Sequence, residues 1–125
     1  MRKALCVGID SYKHLENLHG CVNDANSVKE ALERKGDGSL NFQAKIICST
    51  SDASYISRTQ LKDAISELFE DESEIAVFYY AGHGAFNELG GYLCTSEIER
   101  ADEGLPLEEV MKIASISKAQ NNYSR

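Results

Sequence analysis

Residues 77–84 read VFYYAGHG and are the most informative stretch of the sequence. The apolar and aromatic run at its start is typical of a buried strand in a parallel sheet. The run leads directly into His83, which lies between Gly82 and Gly84. Glycines permit positive φ and a close approach of ligand backbone, neither of which a core histidine needs. The stretch therefore predicts a histidine that projects from the end of a sheet strand.

Composition predicts one globular domain over residues 1–125. The chain is 42% hydrophobic and 26% charged, and no apolar run approaches the roughly 20 residues of a membrane span. A formal net charge of -7 argues against nucleic acid as the main partner, because phosphate binding needs clustered Lys and Arg. Without a CxxC pair, the scattered cysteines favour reduced thiols and a cytoplasmic location; they are Cys6, Cys21, Cys48 and Cys94.

Three apolar runs predict strands of a parallel sheet, at residues 3–9, 42–50 and 74–82. A further segment, GGYLCTS at residues 90–96, is predicted to form a short strand or one half of a hairpin. The segment after the first run, residues 10–20, is interpreted as a polar loop.

Helical spacing of apolar residues predicts two helices between these strands. The first begins at Asn23 or Asp24, either of which can serve as its N-cap, and continues to about Lys35. The second spans residues 58–70. The alternation of strands and helices predicts an α/β fold with three layers, a mainly parallel sheet flanked by helices.

A last helix is predicted over residues 107–117, with Pro106 in its first turn. The tail that follows it, KAQNNYSR, is polar. We therefore expect no strand after this helix, and a sheet that is incomplete on its C-terminal side.

Chemically active side chains follow the predicted strands at one edge of the sheet. Ligands of open parallel sheets bind beyond the carboxyl ends of the strands. His83 follows the third strand, Asp10 follows the first, and Cys21 and Asp24 follow the loop that leaves the same end. The N–H groups of the glycines beside the histidine can donate to an oxyanion. One site with a histidine, a thiol and two carboxylates is predicted.

Three segments resemble, in the same order, the caspase-like cysteine peptidases of the metacaspase and orthocaspase branch. They are ALCVGIDSY, LHGCVNDANSVKEAL, and VFYYAGHGA followed by GGYLCTSE. The resemblance covers nearly the whole chain, as the N-terminal, large-subunit part of a catalytic domain. It implies a caspase-like fold and peptide-bond hydrolysis by a Cys/His dyad. His83 would be the general base, and Gly84 would donate to the oxyanion.

The resemblance also implies a substrate pocket. Asp24 would lie at the floor of the S1 pocket and pair with Arg or Lys through charge-assisted hydrogen bonds. Cys21 would form part of the pocket wall, and Ala81 would also contact the substrate. The implied partner is a peptide or protein with a basic P1 residue.

The nucleophile that the resemblance implies is not found in the chain. Caspase-type nucleophiles lie about 50 residues after the histidine, whereas 42 residues follow His83. Cys21 is the alternative nucleophile, and Cys94 is expected to pack inside or near the rim. We therefore expect a fragment or truncated chain, a chain completed by a separate polypeptide, or an inactive interaction module that pairs strands with another chain. A flavodoxin-like nucleotide-binding domain is disfavoured, because the loop after the first strand has no phosphate-binding glycine pattern.

No cofactor is predicted. Some metacaspases need calcium. An acidic cluster follows the histidine, but it lacks the spacing of an EF-hand loop, so the sequence does not decide whether calcium is required. The cluster comprises Glu97, Glu99, Asp102, Glu103, Glu108 and Glu109. A zinc site from His14, His19, His83 and Cys21 matches no defensible ligand spacing. The simpler interpretations are a structural loop histidine for His83, a helix cap for Asp24, a turn residue for Asp10 and solvent-facing positions for His14 and His19.

Overall fold

The computed structural model describes residues 2–70 and 73–116 and the backbone of residues 121–124. Strands and helices alternate along most of the chain, which confirms the predicted α/β class. In chain order the elements are β1 (Arg2–Ile9), α1 (Cys21–Glu33), β2 (Gln43–Ser49), α2 (Arg58–Glu70), β3 (Ile75–Ala81), β4 (Gly84–Asn87), β5 (Gly90–Leu93), β6 (Leu105–Pro106), α3 (Leu107–Ser115) and β7 (Asn121–Ser124).

Four parallel strands form the main sheet, in the order β2-β1-β3-β7. Residues 4–9 of the internal strand β1 are all buried. A strand with neighbours on both sides and helices on both faces must be apolar throughout, which explains its continuous apolar run. Gly8 lies opposite Ala81 in the register of β1 with β3, so both strands end at the same edge of the sheet.

Helices cover both faces of this sheet. Leu5, Val7 and Ile9 pack in one core with residues of α2 and α3, so the alternate residues of β1 face α1. The helix α1 approaches β1 closely at Gly8, where a Cβ atom would lie 2.6 Å from the Cys21 carbonyl oxygen and 2.8 Å from the Val22 Cα. The N-terminus of α1 is thereby held directly over the end of β1.

A small antiparallel sheet follows the histidine, in the order β4-β5-β6. The segment predicted over residues 90–96 is a strand only at Gly90–Leu93, and it forms a hairpin with β4. We did not predict β4, because GAFN is short and mostly exposed and therefore carries no apolar pattern. The hairpin returns the chain to the edge where β3 ends.

The second helix is confirmed at Arg58–Glu70, but the predicted start of the first helix is wrong. It begins at Cys21, so neither Asn23 nor Asp24 occupies the N-cap position. That position is Gly20, which has no side chain to cap the helix. The Asp10 carboxylate caps it instead, by accepting a 2.9 Å hydrogen bond from the Cys21 N–H. A cap supplied from outside the helix leaves no local sequence signal.

The expectation that no strand follows the last helix is also wrong. β7 pairs parallel with β3, and Ser124 lies opposite Phe78. Main-chain hydrogen bonds hold a strand whatever its side chains are, so the polar sequence NNYS did not reveal it. α3 ends at Ser115, with Pro106 at its N-cap position. The remaining residues of the predicted helix end and tail, 117–120 and 125, lie outside the described residues.

Candidate active site

The imidazole of His83 is oriented by the loop that follows β1. Its Nε2 lies 2.7 Å from the main-chain carbonyl oxygen of Glu16. Because a carbonyl oxygen can only accept, we assign the ring proton to Nε2, which leaves Nδ1 of the neutral ring as the basic nitrogen. The ring also packs edge-to-face on Tyr12, with centroids 4.7 Å apart and an interplanar angle of 60°.

Two tyrosine hydroxyls bind the main chain of His83. Its N–H donates to the Tyr12 Oη over 2.8 Å, and its carbonyl oxygen accepts from the Tyr80 Oη over 2.8 Å. The Tyr80 Oη also lies 2.7 Å from the carbonyl oxygen of Cys94. The end of β3, the loop after β1 and the end of β5 therefore meet at this histidine.

Gly82 makes room for the two hydroxyls. A Cβ atom at this position would lie 2.6 Å from the Tyr80 Oη and 2.7 Å from the Tyr12 Oη. Its φ is not positive, and neither is that of Gly84. The predicted positive φ is therefore wrong for these glycines. At Gly82 the free space is taken by side chains of the protein itself, and the close approach of a ligand backbone stays a prediction.

The N–H of Gly84 points away from the hairpin. The Cys94 N–H donates to the His83 carbonyl oxygen over 2.9 Å, so Gly84 and Leu93 form a non-hydrogen-bonded pair of the antiparallel ladder. In such a pair the N–H and C=O groups are directed away from the partner strand. The Gly84 N–H thus lies beside His83 in a direction open to a ligand.

The N-terminus of α1 forms the other side of the site. Asp10 accepts hydrogen bonds from the N–H groups of Cys21 and Val22, at 2.9 and 3.4 Å. A carboxylate in this place satisfies orphan donors and interacts favourably with the helix dipole. Asp10 is therefore a helix cap rather than the expected turn residue. Asp24 lies one turn into the helix with its side chain exposed.

The surroundings of Cys21 keep its thiol protonated. Burial raises the pKa of Cys21, and the Asp10 charge and hydrogen bond and the Asp24 charge raise it further. Because the thiolate is the reactive form, these groups oppose a role for Cys21 as nucleophile. Burial also raises the pKa of Tyr12 and Tyr80, with a smaller contribution from Cys21. The thiol thus lies within electrostatic reach of the tyrosines that bind His83.

Cys94 is buried, which confirms the expectation that it packs inside. Its Sγ lies 3.6 Å from the carbonyl oxygen of Ala101, and burial raises its pKa. Cys6, buried on the α1 face of β1, also has a pKa raised by burial. Neither thiol has the electropositive, accessible surroundings that activate a nucleophile.

Three residues of the site were not predicted: Tyr12, Glu16 and Tyr80. We interpreted residues 10–20 as a polar loop, yet Tyr12 is only 4% exposed. The spacing of Tyr12 with Leu15 and Leu18, both packed against the core, is a signal that could have revealed it. Glu16 contributes only its main-chain carbonyl, for which no side-chain signal exists.

Buried main-chain contacts hold this loop in place. The Ser49 carbonyl oxygen accepts from the N–H groups of Asp10 and Ser11, at 2.9 and 3.3 Å. Further along, the Lys13 N–H donates to the Ser96 carbonyl oxygen over 2.8 Å. These anchors position the Glu16 carbonyl, and through it the imidazole.

A cavity of about 250 Å³ lies away from these residues. Its lining includes Lys3 and Gln43, at the amino ends of β1 and β2, and Glu67 of α2. Ligands of parallel sheets bind at the carboxyl ends of the strands. We therefore locate the candidate site at His83 and not in this cavity.

Two of the acidic residues after the histidine accept hydrogen bonds from main-chain N–H groups. Glu97 accepts from the Arg58 N–H at the start of α2, over 2.8 Å, and Glu103 accepts from the Arg100 N–H over 2.9 Å. Across residues 2–70 and 73–116, no group of three or more His, Cys, Asp and Glu side chains is arranged to hold a metal ion. His14 and His19 are exposed, as expected. No helix in the described part of the chain has the length and apolarity to cross a bilayer.

Comparison with known proteins identifies relatives over most of the chain. Residues 1–119 match the caspase domain family. The metacaspase-1 of Candida albicans is 30% identical over 89 residues, and that of Schizosaccharomyces pombe is 29% identical over 112 residues. These matches cover 70% and 86% of this chain, but 20% and 25% of the relatives. The chain thus spans a quarter or less of the length of these relatives.

Proposed function

The chain belongs to the caspase domain family, and on that premise we propose that it supplies the general base and part of the substrate pocket of a cysteine endopeptidase. The observation that carries the proposal is the 2.7 Å contact between His83 Nε2 and the Glu16 carbonyl oxygen. It leaves Nδ1 to accept a proton, which is what a general base requires.

The proposed reaction is acyl transfer through a thioester. His83 Nδ1 takes the proton of a cysteine thiol, and the thiolate attacks the peptide carbonyl carbon. The Gly84 N–H donates to the oxyanion that forms. The C–N bond then breaks as the imidazolium protonates the leaving amine, and water hydrolyses the thioester to release the acid. The site supports these steps with an oriented imidazole and an outward-facing glycine N–H.

The proposed nucleophile is a cysteine outside residues 1–125. The register of β7 supports this, because Ser124 lies opposite Phe78. A strand continuing in this register reaches the level of Ala81 three residues later, beside the point where β3 turns into His83. The cysteine comes from a continuation of the same polypeptide or from a second polypeptide that extends the sheet.

The proposed substrate has Arg or Lys at P1. Asp24 is exposed at the site edge, where its carboxylate is open to a guanidinium or ammonium group. Burial raises the pKa of Tyr79, and the Asp24 charge is the next cause, so this carboxylate lies near β3. Ala81 ends β3 opposite Gly8, on the face that α1 covers. Together with the neutral thiol of Cys21, it would form the wall of the pocket.

Domain extent and compartment are part of the same proposal. We propose that residues 1–125 are the N-terminal, large-subunit part of one catalytic domain, which the family match over residues 1–119 supports. All four cysteines are free, which supports a reducing compartment, and we propose the cytoplasm.

The test compares this chain with a form extended through a cysteine-bearing strand. Fluorogenic peptides with Arg, Lys or Asp at P1 are the substrates, and His14→Ala is the control for a change at an exposed histidine. We expect cleavage after Arg and Lys by the extended form only, lost in His83→Ala and kept in His14→Ala. Cleavage by the unextended chain, or after Asp, would contradict the proposal.

A second candidate is a non-catalytic module that pairs with a strand of another chain. β7 is the last strand in the sheet order, so within the described elements its outer edge has no strand partner, and such edges bind extended peptides. An extended form that is folded, retains its cysteine and cleaves none of the three peptides would favour this alternative.

A further inference from the structure

Tyr12 and Tyr80 reach His83 from different elements. Tyr12 lies in the loop after β1, and Tyr80 lies in β3 three positions before the histidine. Their Oη atoms are 3.5 Å apart, with Gly82 packed against both. Tyr12 contacts both the ring and the main chain of His83.

The hydrogen bonds around His83 have a fixed direction. Its N–H can only donate, so the Tyr12 Oη accepts. Between the two hydroxyls, 3.5 Å apart, either oxygen can be the donor. The Tyr80 hydroxyl in turn donates to the carbonyl oxygens of His83 and Cys94, which share its one proton. The His83 carbonyl oxygen also accepts from the Cys94 N–H, which uses its second lone pair. Both main-chain polar groups of His83 are therefore bonded.

The protonation states make this arrangement persistent. Burial raises the pKa of both phenols above the ordinary value for tyrosine. Both hydroxyls therefore keep their protons at neutral pH, so Tyr80 continues to donate to the His83 carbonyl oxygen and the neutral Tyr12 hydroxyl continues to accept from the His83 N–H. The contacts come from hydroxyls, so substitution by phenylalanine removes them while the ring that fills the space remains.

We propose that Tyr12 and Tyr80 are positioning residues for the base, a pair that we call the tyrosine clamp. The two hydroxyls fix the main chain of His83. The Tyr12 ring limits the orientation of the imidazole, so that Nδ1 stays directed toward the thiol of the proposed nucleophilic cysteine. The inference rests on the proposed function for the role of His83. The clamp itself is a property of this chain and is testable without catalysis.

The experiment uses Tyr12→Phe and Tyr80→Phe, with Tyr79→Phe as the matched control. Tyr79 neighbours Tyr80 but points to the opposite face of the sheet. Amide hydrogen exchange reports the main chain of His83, and NMR relaxation of its ring C–H groups reports the imidazole. We expect about tenfold faster exchange of the His83 amide in Tyr12→Phe, the effect of losing one partly buried hydrogen bond. We also expect the His83 imidazole to be more mobile in both clamp variants, because its main chain is held less firmly. We expect no change in the control.

A merely structural role predicts a different pattern. In that case the two substitutions would lower the melting temperature. The amide and ring of His83 would behave, in the molecules that remain folded, as in the unsubstituted chain. That outcome, or equal changes in Tyr79→Phe, would overturn the proposal. If the clamp variants do not fold, the unsubstituted chain still tests it: a His83 amide that exchanges as fast as the amide of the exposed residue Glu88 contradicts the clamp.

The two proposals fail separately. If the extended form still cleaves peptides after His83→Ala, the proposed base is refuted and the measured clamp is unaffected. If the extended form depends on His83, the clamp variants should lower kcat with little change in KM. Unchanged kcat in both variants would overturn the positioning role.

Discussion

The Tyr12 hydroxyl accepts a 2.8 Å hydrogen bond from the main-chain N–H of His83, although the two residues are 71 positions apart in the chain. The contact exists because β1 and β3 are paired in parallel and end at the same edge. The position of the histidine therefore depends on the loop after β1 as much as on its own flanking glycines. Substitutions that disturb either side of the contact should affect the site.

Gly82→Ala should destabilise the fold by about 1–3 kcal/mol, the usual cost of an overpacked site. The added Cβ would lie 2.6 Å from the Tyr80 Oη and 2.7 Å from the Tyr12 Oη, and both hydroxyls must leave their hydrogen bonds to make room. Urea unfolding measures the change. Gly84→Ala is the control, since its Cβ would have its nearest neighbour at 3.5 Å. Equal losses in the two variants would contradict this explanation.

Gly8→Ala should lower the free energy of unfolding at least as much as Gly82→Ala, because the obstructing atoms belong to the backbone of α1. A Cβ would lie 2.6 Å from the Cys21 carbonyl oxygen and 2.8 Å from the Val22 Cα, so the whole helix start must move. Thermal unfolding of Gly36→Ala provides the comparison, since nothing lies within 4 Å of a Cβ there. A melting temperature for Gly8→Ala as high as that of Gly36→Ala would rule out close packing at this point.

These contacts also show which features a sequence can reveal. The apolar runs of β1 and β3 and the spacing in α2 reflect burial, so they predicted elements close to those observed. The cap of α1 comes from Asp10, and β7 is held by main-chain hydrogen bonds. Neither leaves a local pattern of side chains. His83 was predictable from its setting, whereas the Glu16 carbonyl that orients it depends on tertiary structure alone.

Asp10→Asn should make Cys21 more reactive. Burial is the largest cause of the raised pKa of Cys21. The Asp10 charge and hydrogen bond come next, and the Asp24 charge contributes less. Removing the Asp10 charge lowers this pKa and enlarges the thiolate fraction at a given pH. Alkylation by iodoacetamide at pH 8, followed site by site with mass spectrometry, should be faster at Cys21 in Asp10→Asn than in Asp24→Asn. The reverse order would mean that Asp10 does not govern this thiol.

Stability should fall in alkaline solution because of the buried phenols. Burial raises the pKa of Tyr80 in the folded state, so above pH of about 10 the unfolded chain loses this proton while the folded chain keeps it. The unfolded state then binds fewer protons, and the free energy of unfolding falls by up to about 1.4 kcal/mol per pH unit for each such group. Tyr80→Phe should reduce this slope relative to the unsubstituted chain. Urea unfolding between pH 9 and pH 11 measures it, and identical slopes would contradict the prediction.

Asp24→Ala distinguishes a substrate-binding carboxylate from a helix cap. Asp24 lies inside α1, where Asp10 supplies the cap, so its removal should change the free energy of unfolding by less than about 0.5 kcal/mol, as for other exposed positions. In the extended, active form, bound substrate would cover the Asp24 carboxylate. Cleavage after Arg should therefore fall at least about 30-fold in kcat/KM, because losing one partner of a desolvated charge pair costs about 2–5 kcal/mol. Asp63→Ala, an exposed carboxylate on α2, should leave both quantities unchanged. A stability loss of about 1 kcal/mol with unaltered cleavage would instead assign Asp24 to the helix alone.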